Sequence, residues 1–525
     1  MPTPNEKLAE SLAALAKLQA GARRVFRSKE LSRVHRERLL RVGFLQQVVR
    51  GWLLASSPGT APGESTPWFA SFWEFCARYC EGRFSANWHL SPEQSLLIQA
   101  ENTVIPPQVI IYSPNGSNNT TALLFGTSIY DLKESQPPPL ADLVVQDGLR
   151  LFAMEPALIK VPEAFFAARP IEAQVALATV REPSGLLRRL LEGGNSTVAG
   201  RLVGAFRRVN RTEIAEEIRS AMTGAGYTVR EADPFVPGHE FGKLTPAEAP
   251  IVGRIRSMWQ SMRGTVLSTF PPPPGLPSDR RAYLHFVDAS YQSDAYHSLS
   301  IEGYRVTLDL IARVRSGAWS PESNEADRQS RDALAARGYW QAFQQVKRSI
   351  EEIIVGANPG TLVHSAHRDW YREMFQPSVA AGLIPATALA GYRNDFVFLR
   401  TSRYVPPRWE AVRDAMPALF DLLESEPEPA VRAVLGHWLI GYIHPYMDGN
   451  GRMARFLMNA MLASGGYPWT VVRVEDRTRY LRALDSASID LDIAPLAAFL
   501  AERVGWSGSQ NSAPNRHQPA QRKLD

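Results

Sequence analysis

Toward the C-terminal end of this 525-residue chain, two long apolar runs are joined by twelve residues, HPYMDGNGRMAR, His444 to Arg455. The run before them, VRAVLGHWLIGYI, is apolar enough to be a buried helix. The run after them, FLMNAMLASGGY, reads as a second helix that Gly465 and Gly466 stop. The twelve residues are therefore a loop feeding a helix N-terminus, and each residue type in them has a chemical use. Gly449, Asn450 and Gly451 can turn backbone amides toward an anion, with the helix dipole behind them. Arg452 and Arg455 are three apart, share a helix face and can clamp further phosphates. Asp448 is a single hard carboxylate, enough for Mg²⁺ otherwise held by phosphates and water. His444 can take a proton from an attacking hydroxyl near neutral pH. The set amounts to a triphosphate site with a base beside it. A His and two Arg that merely cap a core helix would leave this concentration of groups unexplained.

The stretch resembles the Fic family signature HPFx(D/E)GNGRxxR, departing from it only at Tyr446, where Phe is usual. The resemblance runs over roughly residues 250–505. It implies a mostly helical domain that transfers AMP from ATP to a Ser, Thr or Tyr hydroxyl of a protein substrate. It also implies roles for single residues: His444 as base, Asp448 on Mg²⁺, Asn450 with the amides around Gly449 and Gly451 on the α-phosphate, Arg452 and Arg455 on the β- and γ-phosphates. The segment AGYRNDFVFLRTSRYVPP, Ala390 to Pro407, looks like the family's flap, a short β-hairpin that would hold a target strand through Arg393, Phe396, Val397 and Phe398. Tyr480, in DRTRYLRALD, matches a position near the adenine in relatives.

A second motif, HSLSIEGYRVT, resembles the inhibitory helix S/TxxxE(G/N) of the self-inhibited class whose inhibitor precedes the core. Its residues are Ser298, Glu302 and Gly303, with Ser300 between them. A Glu there can form a bidentate pair with Arg455 and remove the γ-phosphate clamp. In some relatives the same Glu activates water, so the resemblance also admits a hydrolase that removes AMP. A third reading is a DNA-binding regulator whose Fic half senses nucleotide.

Charge is uneven along the chain. Residues 1–56 hold eleven basic and four acidic residues, although the whole chain is only +5. A basic lobe suggests a polyanion surface. Leu8, Leu12, Leu15 and Leu18 give one amphipathic helix; Ser28 can cap a second stretch leading into Leu31, Val34, Leu39 and Leu40, which Gly43 ends; FLQQVVRGWLL then reads as a strand pair. That order is the plan of a winged helix, which makes 1–56 a candidate DNA contact; a solvated basic face is the alternative. Residues 57–66 read as a linker. Thr103–Tyr112 and Ala122–Phe125 look like strands around a turn at Pro114–Thr121, and helical periodicity returns after Pro156 and across Asn195–Gly224. The first ~240 residues loosely resemble the antitoxin of bacterial abortive-infection systems, on the words LSRVHRERLLRVGFLQQVVRGW and LSPEQSL.

The expected architecture is multidomain: a winged-helix-like basic domain (1–56), a mixed α/β accessory domain (67–245), a mostly α-helical Fic domain with a short β-hairpin flap (246–505) and a disordered tail (506–525). Apolar residues at 45% and charged residues at 21% exclude a disordered or collagen-like chain. Cys76 and Cys80 cannot form a disulfide scaffold and fit a reduced, cytoplasmic compartment. No signal peptide or membrane span is expected, and a homodimer is left open. His364, His367 and His437 lack acidic partners at metal spacing and read as core or surface histidines.

Overall fold

The structure is a computed structural model that describes residues 3–21, 23–58, 64–237, 248–319, 330–400 and 402–512. Parts of the expected 57–66 linker, the expected 245/246 boundary and most of the expected tail lie outside these residues. The chain divides into two compact units, Met1–Ser257 with Phe398–Pro406, and Met258–Val397 with Pro407–Asp525.

The first unit begins with two helices, a 3-10 turn and a small three-stranded sheet. Helix α1 (Pro4–Leu18) starts at a capping box in which the Thr3 hydroxyl accepts from the Glu6 amide and the Glu6 carboxylate from the Thr3 amide. Strand β1 (Val25–Arg27) follows, then helix α2 (Arg33–Val42), then the hairpin β2 (Leu45–Val49) and β3 (Trp52–Ala55). The three strands are antiparallel in the order β1-β3-β2. Leu15, Phe26, Leu31, Leu39, Leu45 and Leu53 form the lobe's core. Two expectations are corrected here. Ser32, not Ser28, caps α2, because Ser28 opens a single 3-10 turn after β1. Val34 is 61% exposed rather than in the core, since it stands on the outer face of α2. Gly43 does end α2, at φ +86.

The rest of this unit is mixed α/β. Helix α3 (Thr66–Phe84) buries Trp68, Phe72, Phe75, Cys76 and Cys80. Both cysteines are free, and burial pushes their thiols up, which leaves them inert. A four-stranded sheet runs β4 (His89–Leu90), β5 (Gln108–Ser113), β7 (Ser128–Lys133), β6 (Asn119–Ala122), with β5 and β7 parallel. The strand expected over 122–125 is displaced: β6 ends at Ala122, and Leu124–Gly126 is a turn with Phe125 at φ +49. Strands β8 (Leu143–Gln146) and β9 (Leu149–Phe152) pair separately, and helices between Met154 and Gly224 enclose a second core.

The second unit is helical. The parts that position the site are α4 (Arg280–Ile301), α5 (Arg331–Ile353), α6 (Pro359–Ala380), α7 (Pro429–Ile443) and α8 (Asn450–Ala463). Almost every residue of α7 and α8 is buried, as their apolar sequences require. The flap segment forms no hairpin among its described residues; Tyr404 instead makes an isolated bridge to Val104 within the first unit. The backbone of this stretch is engaged elsewhere, and Pro406 and Pro407 have no amide hydrogen to extend a ladder. The last helix, Ala494–Ser512, runs past Val504 into the stretch expected to be disordered, because Trp506 packs under the Arg473 and Arg503 guanidinium groups. No helix among the described residues is long and apolar enough to cross a membrane.

Helices α5 and α6 approach closely at Gly338, where a Cβ would meet the Met374 carbonyl oxygen at 1.9 Å. Backbone cannot yield as a flexible side chain does. Gly338→Ala is therefore expected to destabilise the protein by about 1–3 kcal/mol, read as a lower urea midpoint. An unchanged midpoint would contradict the close packing.

Candidate active site

The loop between α7 and α8 is held in an uncommon backbone shape. His444 closes α7 in the left-handed region, φ 51 and ψ 59, and its amide still donates to the Ile440 carbonyl at 2.9 Å. A bulky residue there stores of order 1 kcal/mol of strain, so the surroundings must impose it. Two side chains do so. Asn450 bridges the loop: its Oδ1 accepts from the Tyr446 amide at 2.9 Å and its Nδ2 donates to the Tyr446 carbonyl at 2.8 Å. Arg393, 2% exposed, donates through Nε to the His444 carbonyl at 2.8 Å and through its other nitrogens to the carbonyls of Asp395, Pro407 and Ile443. The Arg393 amide also donates to the Pro445 carbonyl at 2.8 Å. Tyr446 stacks on Tyr371 with ring centroids 3.9 Å apart, which shows why an aromatic ring is needed at the position where the motif departs from Phe.

This arrangement orients His444. Its Nδ1 lies 3.2 Å from the Gly441 carbonyl. A carbonyl only accepts, so Nδ1 carries the hydrogen and Nε2 is left with the lone pair. Burial pushes the imidazole's pKa down to about 4, against the smaller opposing effects of the Gly441 carbonyl and then of Glu302 and Asp448. His444 is therefore neutral at ordinary pH.

At the start of α8, Gly449 takes φ +84 and a Cβ there would strike the Phe375 ring at 2.8 Å. A Cβ on Gly451 would lie 2.3 Å from Glu302 Oε1. The Glu302 carboxylate thus sits directly against the N-terminal turn of α8, where a helix favours an anion. It pairs with Arg455, Nη2 to Oε1 at 2.7 Å. Arg455 is 2% exposed and is completed by Ser298, whose hydroxyl accepts from Nε at 2.8 Å and whose carbonyl accepts from Nη2 at 3.1 Å. Burial alone would raise the Glu302 pKa, but Arg455 and then Arg452 outweigh it and hold the carboxyl below its ordinary value. The end of α4 aims Glu302: Tyr304 donates to the Leu299 carbonyl and Gly303, at φ +87, to that of Ser300, a Schellman closure that needs glycine.

Arg452 is in a different condition. It is 1% exposed and lies between two rings, 5.2 Å from the Tyr304 centroid and 5.1 Å from that of Phe375. Its Nε and Nη2 have no hydrogen-bond partner; the nearest charge is Asp448 Oδ1, 3.4 Å from Nη2. A buried guanidinium with idle donors beside a helix N-terminus is built to receive an anion. Asp448, whose side chain is 59% exposed, accepts from the Gly449 amide at 2.6 Å. It is accessible at the loop apex, and a lone exposed carboxylate fits Mg²⁺ where a ligand and water complete the shell.

The structure thus gathers His444, Asp448, Gly449, Asn450, Gly451, Arg452, Arg455, Ser298, Glu302 and Gly303 in one place. Tyr480 is 2% exposed and lies beneath the site, 2.7 Å from His437 Nε2, while His437 Nδ1 donates to the Ala454 carbonyl. His437 is therefore a core histidine, and Tyr480 supports the floor. The flap residues do not act together: Arg393 is buried as a clamp, Val397 is buried, Phe396 is 46% exposed, and Phe398 belongs to the first unit under the Arg24 guanidinium. Sequence reasoning missed Tyr304 and Phe375 around Arg452, and the clamp role of Arg393. Only the position of Tyr304 immediately after Gly303 was a signal.

Residues 362–462 match the Fic/DOC family, and the chain carries a Fic domain. Among curated proteins, it is 43% identical over 114 residues to protein adenylyltransferase Fic of Nematostella vectensis, covering 21% of this chain and 26% of that one. It is 36% identical over 222 residues to the protein of the same name in Drosophila willistoni, 41% of this chain and 40% of that one. The chain therefore spans well under half the length of these relatives. Among solved structures it is similar to Fic-1 from C. elegans, with a TM-score of 0.37, 16% identity, and coverage of 62% of this chain and 91% of that one.

Arg393→Met should leave the His444 carbonyl without its side-chain donor and loosen the loop. Amide hydrogen exchange at His444 and Tyr446 should then quicken by about tenfold or more; unchanged exchange would refute the clamp role.

Proposed function

We propose that the protein is an Mg²⁺-dependent adenylyltransferase that moves AMP from ATP to a Ser, Thr or Tyr hydroxyl of a protein, and that Glu302 holds it off. The observation that carries this reading is the Glu302–Arg455 pair at the α8 N-terminus, beside the idle donors of Arg452 and the lone pair of His444. The relatives' names, as protein adenylyltransferases, support the same reaction.

The residues divide the work. Gly449, Asn450 and Gly451 form the loop and helix start that face the phosphates, and Arg452 offers its unpaired nitrogens to them. Asp448 would hold Mg²⁺ with the triphosphate, and the ion would neutralise phosphate charge. His444 Nε2 takes the hydroxyl proton as the hydroxyl oxygen attacks the α-phosphorus; that P–O bond forms as the bond to the β-phosphate bridging oxygen breaks, and pyrophosphate leaves. Glu302 prevents this by occupying Arg455 and placing a like charge where a phosphate must lie. The hydrolase reading needs Glu302 to polarise water, yet Oε1 is already engaged by Arg455. The nucleotide-sensor reading leaves the oriented base without a use.

With α-labelled ATP, Mg²⁺ and protein, Glu302→Gly should label protein at least tenfold faster than wild type, and Glu302→Gly/His444→Ala should not label. Label on wild type and Glu302→Gly alike would overturn the inhibitory role. Removal of AMP from a modified protein that is lost in Glu302→Gly would favour the hydrolase.

The depressed His444 pKa sets the pH dependence. A base that protonates only near pH 4 stays available above it. The kcat/KM of Glu302→Gly should hold level from pH 8 to about 6 and fall only below about 5, whereas an unperturbed histidine near 6.5 would begin to fail above pH 6. A pH–rate profile with an acid limb at 6.5 would contradict the burial argument.

A further inference from the structure

The N-terminal lobe carries more positive charge than its fold consumes, and the structure shows where the surplus faces. Several of the basic residues are structural. Arg23 pairs with Glu30, Arg24 covers the Phe398 ring, and Arg38 donates to the Lys7 carbonyl and the Ser11 hydroxyl. Arg33 pairs with Glu37 on the surface of α2.

Two cavities meet at Arg27, whose guanidinium lies over the Trp52 ring at 5.2 Å and would touch any Cβ added to Gly82. They differ in charge. The first, about 650 Å³, is lined by matched ions, Arg23 with Glu30 and Arg78 with Glu74. The second, about 470 Å³, is lined by Arg27, Lys29, Arg36 and Arg83, together with Trp52 and Tyr79, and no carboxylate lines it. Arg83 is neutralised from behind by buried Asp131 at 2.8 Å. Arg36 is steered into place by donating to the Ser28 carbonyl at 2.9 Å.

Gly51 of the β2–β3 turn and Arg36 of α2 line this second cavity, and Arg50 stands exposed beside Gly51. A cluster of cations with no carboxylate among them is the chemistry that neutralises the phosphates of a nucleic-acid backbone. We infer that this face, centred on Arg27, Lys29, Arg36 and Arg50, binds the phosphate backbone of double-stranded DNA. Its chemistry is phosphate recognition in a duplex geometry, with no base-reading side chain assigned.

The test uses the full chain and a fluorescein-labelled 20-base-pair duplex, read by anisotropy across NaCl. Four phosphate contacts give a slope of log K against log salt of about −3.6, or roughly a 100-fold loss between 50 and 200 mM. Lys29→Glu and Arg50→Glu should each weaken binding roughly five- to tenfold and flatten that slope. Lys17→Glu, the same charge change on exposed α1, should weaken it less than twofold. Unchanged melting temperatures would show that each variant is folded. Three results would overturn the inference: no duplex binding at 50 mM NaCl, equal loss for Lys17→Glu, or tighter binding to a single strand of equal phosphate count. Competition by millimolar ATP at constant ionic strength would likewise reassign the hollow to free nucleotides.

Discussion

The second, helical unit depends on what is done with one buried charge. Arg455 sits inside α8 with almost no exposure, and an uncompensated guanidinium there would cost several kcal/mol. Ser298 supplies two oxygens and Glu302 a third, so the end of α4 completes α8. The Arg455 pKa shows the balance: burial would lower it, and the Glu302 charge raises it beyond its usual value. The contact that secures packing between these helices is also the contact that a triphosphate would have to replace. Structure and proposed regulation therefore share one guanidinium.

His444 is held by a second set of constraints. His444 stands in a left-handed backbone conformation that no local propensity favours. Arg393 collects carbonyls from four residues, and Asn450 ties Tyr446 through both amide atoms. Each fixes main chain rather than touching a reacting atom. This explains why Asn450, read as a phosphate ligand in sequence, and Arg393, read as part of a target-binding hairpin, have buried side chains. Their hydrogen bonds hold the loop that carries the helix-start amides and the imidazole.

How far the site was legible followed sequence distance. His444, Asp448 and the two arginines were visible because twelve consecutive residues carry them, and a loop with a helix start brings such residues together by local geometry alone. The pairing of Glu302 with Arg455 was legible because its Ser298 and Gly303 neighbours have independent local jobs, one completing Arg455 and the other closing α4. The sandwich around Arg452 was not legible. Tyr304 and Phe375 lie more than seventy residues apart, and each looks like an ordinary packing aromatic until α6 and the turn after α4 converge. Tyr480, read as lying near the adenine, is buried with its hydroxyl against His437, a contact forty-three residues away in sequence that no local pattern announces.

In the N-terminal lobe, periodicity and turn glycines were enough to place α1, α2 and the β2–β3 hairpin, because amphipathic spacing and a positive-φ turn act within a few residues. They missed β1, a three-residue strand too short to carry a pattern, and with it the true cap of α2. By itself, the sequence determined which groups this protein possesses, their local order and the surplus of positive charge in its first 56 residues. Tertiary structure alone decided which charges are matched and which are left idle. Pairing is a matter of through-space distance within about 4 Å, and only the packed helices bring Glu302 to Arg455, leave Arg452 without a hydrogen-bond partner and turn Lys29 and Arg36 into one hollow.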